Sequence, residues 1–484
     1  MRFWYFLAAL GPALMLGACD FAPAYAPPKM MAMPAKFKGA GAGIWKAAHP
    51  DDNVPHGDWW RSYKDHTLDS LETQVELNNQ DLAAALASYQ QARAYVARAQ
   101  SGLYPAVQHE EQFAANRASI GRGPLSEPNY YGNNFLDVSA SYEVDVWGEV
   151  RDRVARSQAQ AQASGALFES VRLSLQAELA RDYVSLRGLD QQANLLRRTV
   201  VAYRAALDLT RQRLTGKIAA PIDVDRAEVQ LDSAKAQLAD IAGPRALLVD
   251  AIATLVGEPA SNFSLPFRSW NLPIPSFPPG VPSTLLERRP DIAVAERQTA
   301  AANETIGIAK AAFFPRFTIN LVGGTQDTGL NLLSLPYSFW SVGPSVYLPL
   351  FDGGLRLANL SIAQAAYKQH VAYYRGTVLT AIQEVEDNLA VLRALRIESG
   401  STKAAAVAAE KAEALALTLY RDGAVNYLEV VVAQTAALTA EQVALSVETR
   451  RLQTSVALIL ALGGDFSVDV AQNLDPRQYA NPHK

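Results

Sequence analysis

Apolar residues recur at alternating spacings of three and four along two long stretches of the chain. One seam is Leu186, Leu189, Ala193, Leu196, Val200, Tyr203, Leu207, Thr210 and Leu214; Val224, Ala227, Leu231, Ala234, Leu238 and Ile241 resume it after a short break. Val430, Ala433, Ala437, Ala440, Ala444 and Val447 repeat the pattern near the end of the chain. This spacing predicts helices packed as coiled coils, and small alanines let such helices approach closely. Residues 129–220 and 350–475 contain no proline. An interior proline costs a helix about 3 kcal/mol, so both stretches can form very long helices. A helix over 150–214 would run about 95 Å. The breaks at 216–221 and 422–427 read as the tips of antiparallel helical hairpins.

A second period, of two residues, occupies four short segments. In 135–147, Leu136, Val138, Ala140, Tyr142, Val144 and Val146 alternate with Asp137, Ser139, Ser141, Glu143 and Asp145. Phe317, Ile319 and Leu321 alternate with Thr318 and Asn320, and Trp340, Val342 and Val346 with Ser341, Gly343 and Ser345. Residues 107–113 show the weakest alternation. The pattern predicts strands with one apolar and one polar face, at about 106–115, 134–147, 316–323 and 339–349. Their lengths suit tilted membrane strands, although a half-buried soluble sheet shows the same alternation. Context favours the membrane. The intervening loops, 116–132 and 324–338, read as polar and rich in glycine and proline, and Tyr130, Tyr131, Tyr337, Phe339 and Trp340 sit near strand ends as an interfacial girdle would. Four strands cannot close a barrel, and an open sheet edge is excluded from lipid. The chain is therefore expected to oligomerise, and the strands alone permit two, three or four copies.

The plan occurs twice. Residues 79–104 align without gaps on 289–314, an offset of 210; further on, 148–151 match 353–356 and 255–257 match 461–463. The expected organisation is a signal peptide at 1–18, an extended arm at 19–64, a first repeat at 65–258, a proline-rich linker at 259–284, a second repeat at 285–464 and a tail at 465–484.

Composition adds little about partners: a net charge of -4 over 484 residues offers no basic stripe for nucleic acid. The N-terminus says more. An apolar run over 3–16, too short to span a bilayer comfortably, leads into Leu16-Gly17-Ala18-Cys19, the form of a lipoprotein processing site that would acylate Cys19. Cys19 is the only cysteine, so no disulfide framework is expected. No later segment reads as a transmembrane helix, which leaves a closed β-barrel as the spanning element. The histidines are scattered, and no H-E-x-x-H, P-loop or G-x-S-x-G occurs. No catalytic residues, cofactor or metal site are expected; Met30, Met31 and Met33 are too weakly supported to read as a copper site.

LLERRPDI at 285–292, IGIAKAAFFP at 306–315, LPLFDGG at 348–354, ALGG at 461–464, YEVDVWG at 142–148 and the Trp59-Trp60 region resemble the TolC-like outer-membrane factors. The match is to the lipoprotein branch that serves resistance-nodulation-division (RND) pumps. This resemblance implies a mainly α fold with a β membrane part: a homotrimer with a 12-stranded transmembrane β-barrel, continued in the periplasm by an α-barrel of coiled-coil hairpins. It implies an exit duct of a tripartite efflux pump, held in the outer membrane by lipid and docked by a periplasmic adaptor and an inner-membrane pump. By the same match, Gly216, Lys217, Ile218, Gly423, Ala424 and Val425 form the docking tips, and Asp223 and Glu429 lie at the periplasmic aperture. Both acids also suit the N-terminal ends of helices without further function. Asp137, Glu143 and Asp145 would face a wet barrel lumen and favour cations. Relatives carry an arginine where this chain has Val425, so packing by Leu428, Val430 and Val431 is expected to help close the aperture. The alternatives are a type I secretion duct and, further off, a periplasmic coiled-coil scaffold or adaptor lipoprotein.

Overall fold

A computed structural model describes residues 21–29, 38, 58–117, 130–268, 273–274 and 289–464. The expected signal peptide, Cys19, the methionine cluster, most of the linker and the tail lie outside these residues.

The described elements run, in order, α1 (His66–Asn78), α2 (Gln80–Gln100), β1 (Ala106–Arg117), β2 (Tyr130–Val144), α3 (Glu149–Thr215), α4 (Pro221–Asp240), α5 (Ala242–Leu255), α6 (Pro290–Ala311), β3 (Arg316–Asp327), β4 (Ser338–Tyr347), α7 (Leu355–Asp422) and α8 (Tyr427–Ala461). Contacts divide the chain into two units. The first takes its described residues from 1–29, 88–165 and 294–375; the second takes them from 30–87, 166–293 and 376–484.

The first unit contains an antiparallel sheet in the order β1-β2-β3-β4. Its register puts Val107, Val138, Leu321 and Val342 on one face, and Glu110, Asp137, Gly324 and Phe339 on the other. A pleated strand sends successive side chains to opposite faces, so the alternation read from single strands adds up to one mainly apolar and one mainly polar surface, with His109 and Glu111 of β1 on the mainly apolar one. Several details differ from the sequence reading: β3 runs on to Asp327, four residues past its expected end, β4 ends at Tyr347 and β1 reaches Arg117. Strand β2 begins at Tyr130 and ends at Val144, because the Asp145 carboxylate accepts the backbone N–H groups of Val150 (3.1 Å) and Arg151 (3.0 Å) and so caps α3. The second loop is apolar rather than polar, with Leu330, Leu332, Leu333 and Leu335 within ten residues.

The second unit is helical. Tyr203, Leu207, Ala227, Leu231, Tyr420, Tyr427 and Val430 share one buried cluster, so both hairpins interlock through their seams near the tips. A larger core gathers Trp60, Tyr63, Leu68, Phe168, Leu186, Ile252 and Val456. The two repeats solve the same problem with different chemistry. Asn79 Nδ2 donates to the Leu255 carbonyl (2.8 Å), and Arg289, at the matching position, donates from Nη1 to the Ala461 carbonyl (3.0 Å). Each satisfies an orphan carbonyl at a helix C-terminus. The return helices differ: α8 is continuous, whereas the first-repeat return breaks at Ile241. Pro244 cannot donate to the Asp240 carbonyl and its ring crowds it. By length and apolar composition α8 could also cross a bilayer, against the sequence reading; Val430 and Ala437 on it are fully buried.

Glu72 of α1 is 0% exposed, and neither carboxylate oxygen has a hydrogen-bond partner. Burial pushes its carboxyl well above the usual range, and the charges of Glu76 and Asp69 push the same way. Between its unfolded and folded pKa the native state keeps a proton that the unfolded chain has lost, so stability falls as pH rises through that window. Glu72→Gln is expected to melt above the wild type at about pH 8, with the difference shrinking towards about pH 4. Parallel melting curves across that range, followed by circular dichroism, would remove Glu72 as the cause.

Candidate functional site

Three places carry the candidate residues, and local chemistry builds each. On the polar face of the sheet, Asp137 of β2 stands opposite Glu110 of β1. Like charges directly across a ladder destabilise it, so this pairing is not explained by sheet stability. Glu143 is on the same face, but Arg316 lies 3.3 Å from its carboxylate and takes up its charge. Asp145 stands outside the sheet at the start of α3, ion-paired to Arg151 at 3.1 Å. Of the three acids expected in the lumen, Asp137 has no ion pair among the described residues, Glu143 is paired and Asp145 is a helix cap. Glu110 was missed because β1 interleaves His109 and Glu111 with Val107 and Phe113 and shows no clean alternation. Only its register with β2 assigns a face.

The tips are two helix C-termini closed in the same way. At the first, Ile218 N–H donates to the Arg213 carbonyl (2.8 Å); at the second, Ala424 N–H donates to that of Leu419 (2.8 Å). Both are six-residue closures that need one left-handed residue. Gly423 fills that role with φ 82°, but at the first tip it falls to Lys217, φ 59°, one residue beyond Gly216. Ile218 is exposed, and Val425 packs against the buried tip cluster. Asp223 and Glu429 occupy the third helical position of α4 and α8. Asp223 pairs with Arg226 at 3.5 Å, and Glu429 donates its N–H to the Asn426 cap at 3.3 Å.

Arg213, also unanticipated, joins the two tips. Its guanidinium lies 4.7 Å from the Tyr420 ring centre and donates to the Arg421 carbonyl at 2.9 Å. Tyr420 in turn meets Tyr427 edge-on at 5.2 Å. A charge-assisted bond plus a cation–π contact is worth about 1–2 kcal/mol at a partly exposed site. Arg213→Ala is therefore expected to speed amide exchange over residues 419–424 by about tenfold, while Arg213→Lys, which loses the flat stack, falls between. Unchanged exchange in the alanine variant would show that the contact contributes nothing.

The third place is the arm. Residues 21–25 run along α6: Lys310 Nζ donates to the Phe21 carbonyl (3.2 Å), Asn303 Nδ2 to that of Pro23 (2.7 Å), and Tyr25 OH to Glu296 Oε1 (2.7 Å). Phe21 stacks on Phe314 at 4.5 Å, and Trp147 lies against Phe314 at 4.9 Å. Phe21, the first described residue of the arm, thus lies where α6 passes into β3.

A two-faced sheet and paired helical tips have the features a conducting, docking protein needs. The sequence profile described as "Outer membrane efflux protein" matches residues 71–258 and 281–464, the two copies of the repeat. The chain belongs to this family. It is an outer-membrane efflux channel protein, with a β-barrel membrane part and a periplasmic helical part. The outer membrane protein OprJ of Pseudomonas aeruginosa is 31% identical over 95% of this chain and 96% of its own. The cation efflux system protein CusC of Escherichia coli K12 is 28% identical over 93% and 97%. Among solved structures, the open-state MtrE outer membrane channel of Neisseria gonorrhoeae superposes with a TM-score of 0.82 at 26% identity, over 93% of this chain and 99% of that one. Within this family the sheet is a share of a barrel wall, and the hairpins are a share of a periplasmic tunnel.

Proposed function

We propose that three copies of this chain form the exit duct of a tripartite efflux system, docked at the hairpin tips by a periplasmic adaptor and an RND-type inner-membrane pump. One observation carries the reading. The sheet has a mainly apolar face, a mainly polar face and two edge strands, β1 and β4, that pair on one side only among the described residues. Unpaired ladder groups cannot stand in lipid, so β4 of one copy pairs with β1 of the next until the sheet closes. The apolar face then meets lipid and the polar face lines water. Along the hairpins Val201, Val229, Leu415 and Val432 are each more than half exposed, as residues awaiting a neighbouring copy would be.

Gly216, Lys217, Ile218, Gly423, Ala424 and Val425 offer the adaptor a surface, and Asp223 and Glu429 ring the aperture. Glu110 and Asp137 supply the lumen charge. Opening requires the adaptor to bind the open tips more tightly than the closed ones. Cys19 carries the acyl anchor, and Phe21, two residues on, packs against Phe314 at the end of α6. Cys19→Ser is expected to abolish labelling by radioactive palmitate and leave the trimer assembled; persistent labelling would place the lipid elsewhere.

The decisive experiment combines mass and conductance. Native mass spectrometry of protein in detergent should give three chains, and the same preparation should conduct in a planar bilayer once the tips are loosened. A monomer without conductance would end the reading.

A further inference from the structure

The loop between β3 and β4 is a built hook. Asp327 accepts the Asn331 N–H at 3.0 Å, Ser334 N–H donates to the Asn331 carbonyl at 3.1 Å, and Ser338 Oγ donates to the Leu335 carbonyl at 2.7 Å. Asn134, only 8% exposed, ties the hook down: its Nδ2 donates to the Gly329 carbonyl while its Oδ1 accepts the Ala114 N–H at 3.1 Å. Gly132 makes this approach possible, since a Cβ there would lie 2.0 Å from the Thr328 carbonyl oxygen.

The hook and the sheet border an open cleft of about 360 Å³. One wall is made by Leu136, Val138, Gly323 and Thr325, all on the apolar face by register, and the other by Leu332, with Asp137, Ser334 and Ser338 at the rim. His109, whose Nδ1 sits 2.8 Å from the Asp137 carbonyl, closes one side. Leu332 is buried, but Leu330, Leu333 and Leu335 are 79%, 96% and 85% exposed. Such leucines on a water-facing loop would be a liability. They are placed for hydrocarbon, because the cavity is continuous with the face that meets lipid.

We propose that this cavity holds one acyl chain of a bilayer lipid from the leaflet at the loop end of the barrel, clasped between hook and wall. The proposal rests on the apolar face being the lipid face. The occupant is not the chain's own anchor: the arm docks where α6 enters β3, whereas the hook lies at the opposite end of that strand. A clasped chain differs from ordinary lipid contact in having protein on two sides, so it is retained when its neighbours exchange.

The test uses the full-length protein in phosphatidylethanolamine vesicles in which a small fraction of lipid carries a photoreactive diazirine on one acyl chain. Labelled residues are mapped by mass spectrometry. Labelling is expected to concentrate several-fold on Leu136, Val138 and Leu332 relative to Val342 and Val346, open positions on the same face. Val138→Trp fills the cavity and should bring cavity labelling down to the level of the open face. Leu332→Ser removes the apolar wall on the hook side and should do the same if the tryptophan variant does not assemble. Even labelling across the face, unaltered by either substitution, overturns the clasp and leaves the lipid face standing. No labelling anywhere on this face overturns the membrane reading itself.

Discussion

Asp190→Ala is expected to destabilise the folded protein by about 3–5 kcal/mol, the cost of stranding a buried charge. Asp190 and Arg187 are each 1% exposed in their side chains, and their 2.7 Å ion pair lies inside the helical unit. The same carboxylate accepts Arg245 Nε at 2.8 Å and the Arg268 N–H at 3.2 Å. Arg187 and Arg245 also donate to the carbonyls of Pro266 (3.0 Å) and Leu265 (2.6 Å), and Arg245 stacks 3.9 Å from the centre of the Phe267 ring. One aspartate thus fastens the segment that leaves the first repeat onto α3 and α5. Thermal melts of the detergent-solubilised protein would measure the loss. The double variant Asp190→Ala, Arg187→Met removes the more deeply buried of the two stranded cations, leaving Arg245, and should recover part of it, because an apolar replacement of a buried pair is often close to neutral. A double variant no better than the single one would place the damage elsewhere.

Neutralising Glu110 and Asp137 together is expected to cut the cation-over-anion permeability ratio several-fold at about 0.1 M salt and to have little effect at about 1 M. The two carboxylates face each other on the polar surface, and three copies would place three such pairs around the wall. Glu110→Gln, Asp137→Asn leaves shape and hydrogen bonding nearly intact. Glu143→Gln is the internal control. Arg316 already holds that carboxylate at 3.3 Å, so its removal should change the ratio far less. Reversal potentials in a salt gradient give the answer, and an unaltered ratio in the double variant would remove these acids from the conduction path. The same variant should also tighten the sheet slightly, since it relieves a like-charge pair across the ladder.

Much of the architecture was legible because it is periodic. A three-four spacing without proline can satisfy the backbone only as long paired helices, and the seam residues Leu186, Ala193, Leu196, Ala227, Val430 and Ala437 are buried. The strands were legible where alternation was strict and blurred where local chemistry competed. The pattern predicted β2 as far as 147, but the Asp145 cap ends it at Val144. The break at Ile241 was also written in the sequence, in Pro244, but the return was expected as a single helix.

What the sequence determined by itself is everything set by neighbours a few residues away: the helices, the four strands, the hairpin breaks, the duplication and the need for more copies to close the sheet. Only the tertiary structure decided which side chains meet across the fold. It set the pairing of Glu110 with Asp137, the reach of Arg213 to the second tip, the shared task of Asn79 and Arg289, and the leucine hook over the outer face. The physical reason is that periodicity fixes the direction of a side chain relative to its own element, whereas a charge pair or a cavity depends on register between elements distant in the chain. Register is specified by the whole packed interface, and no local pattern records it.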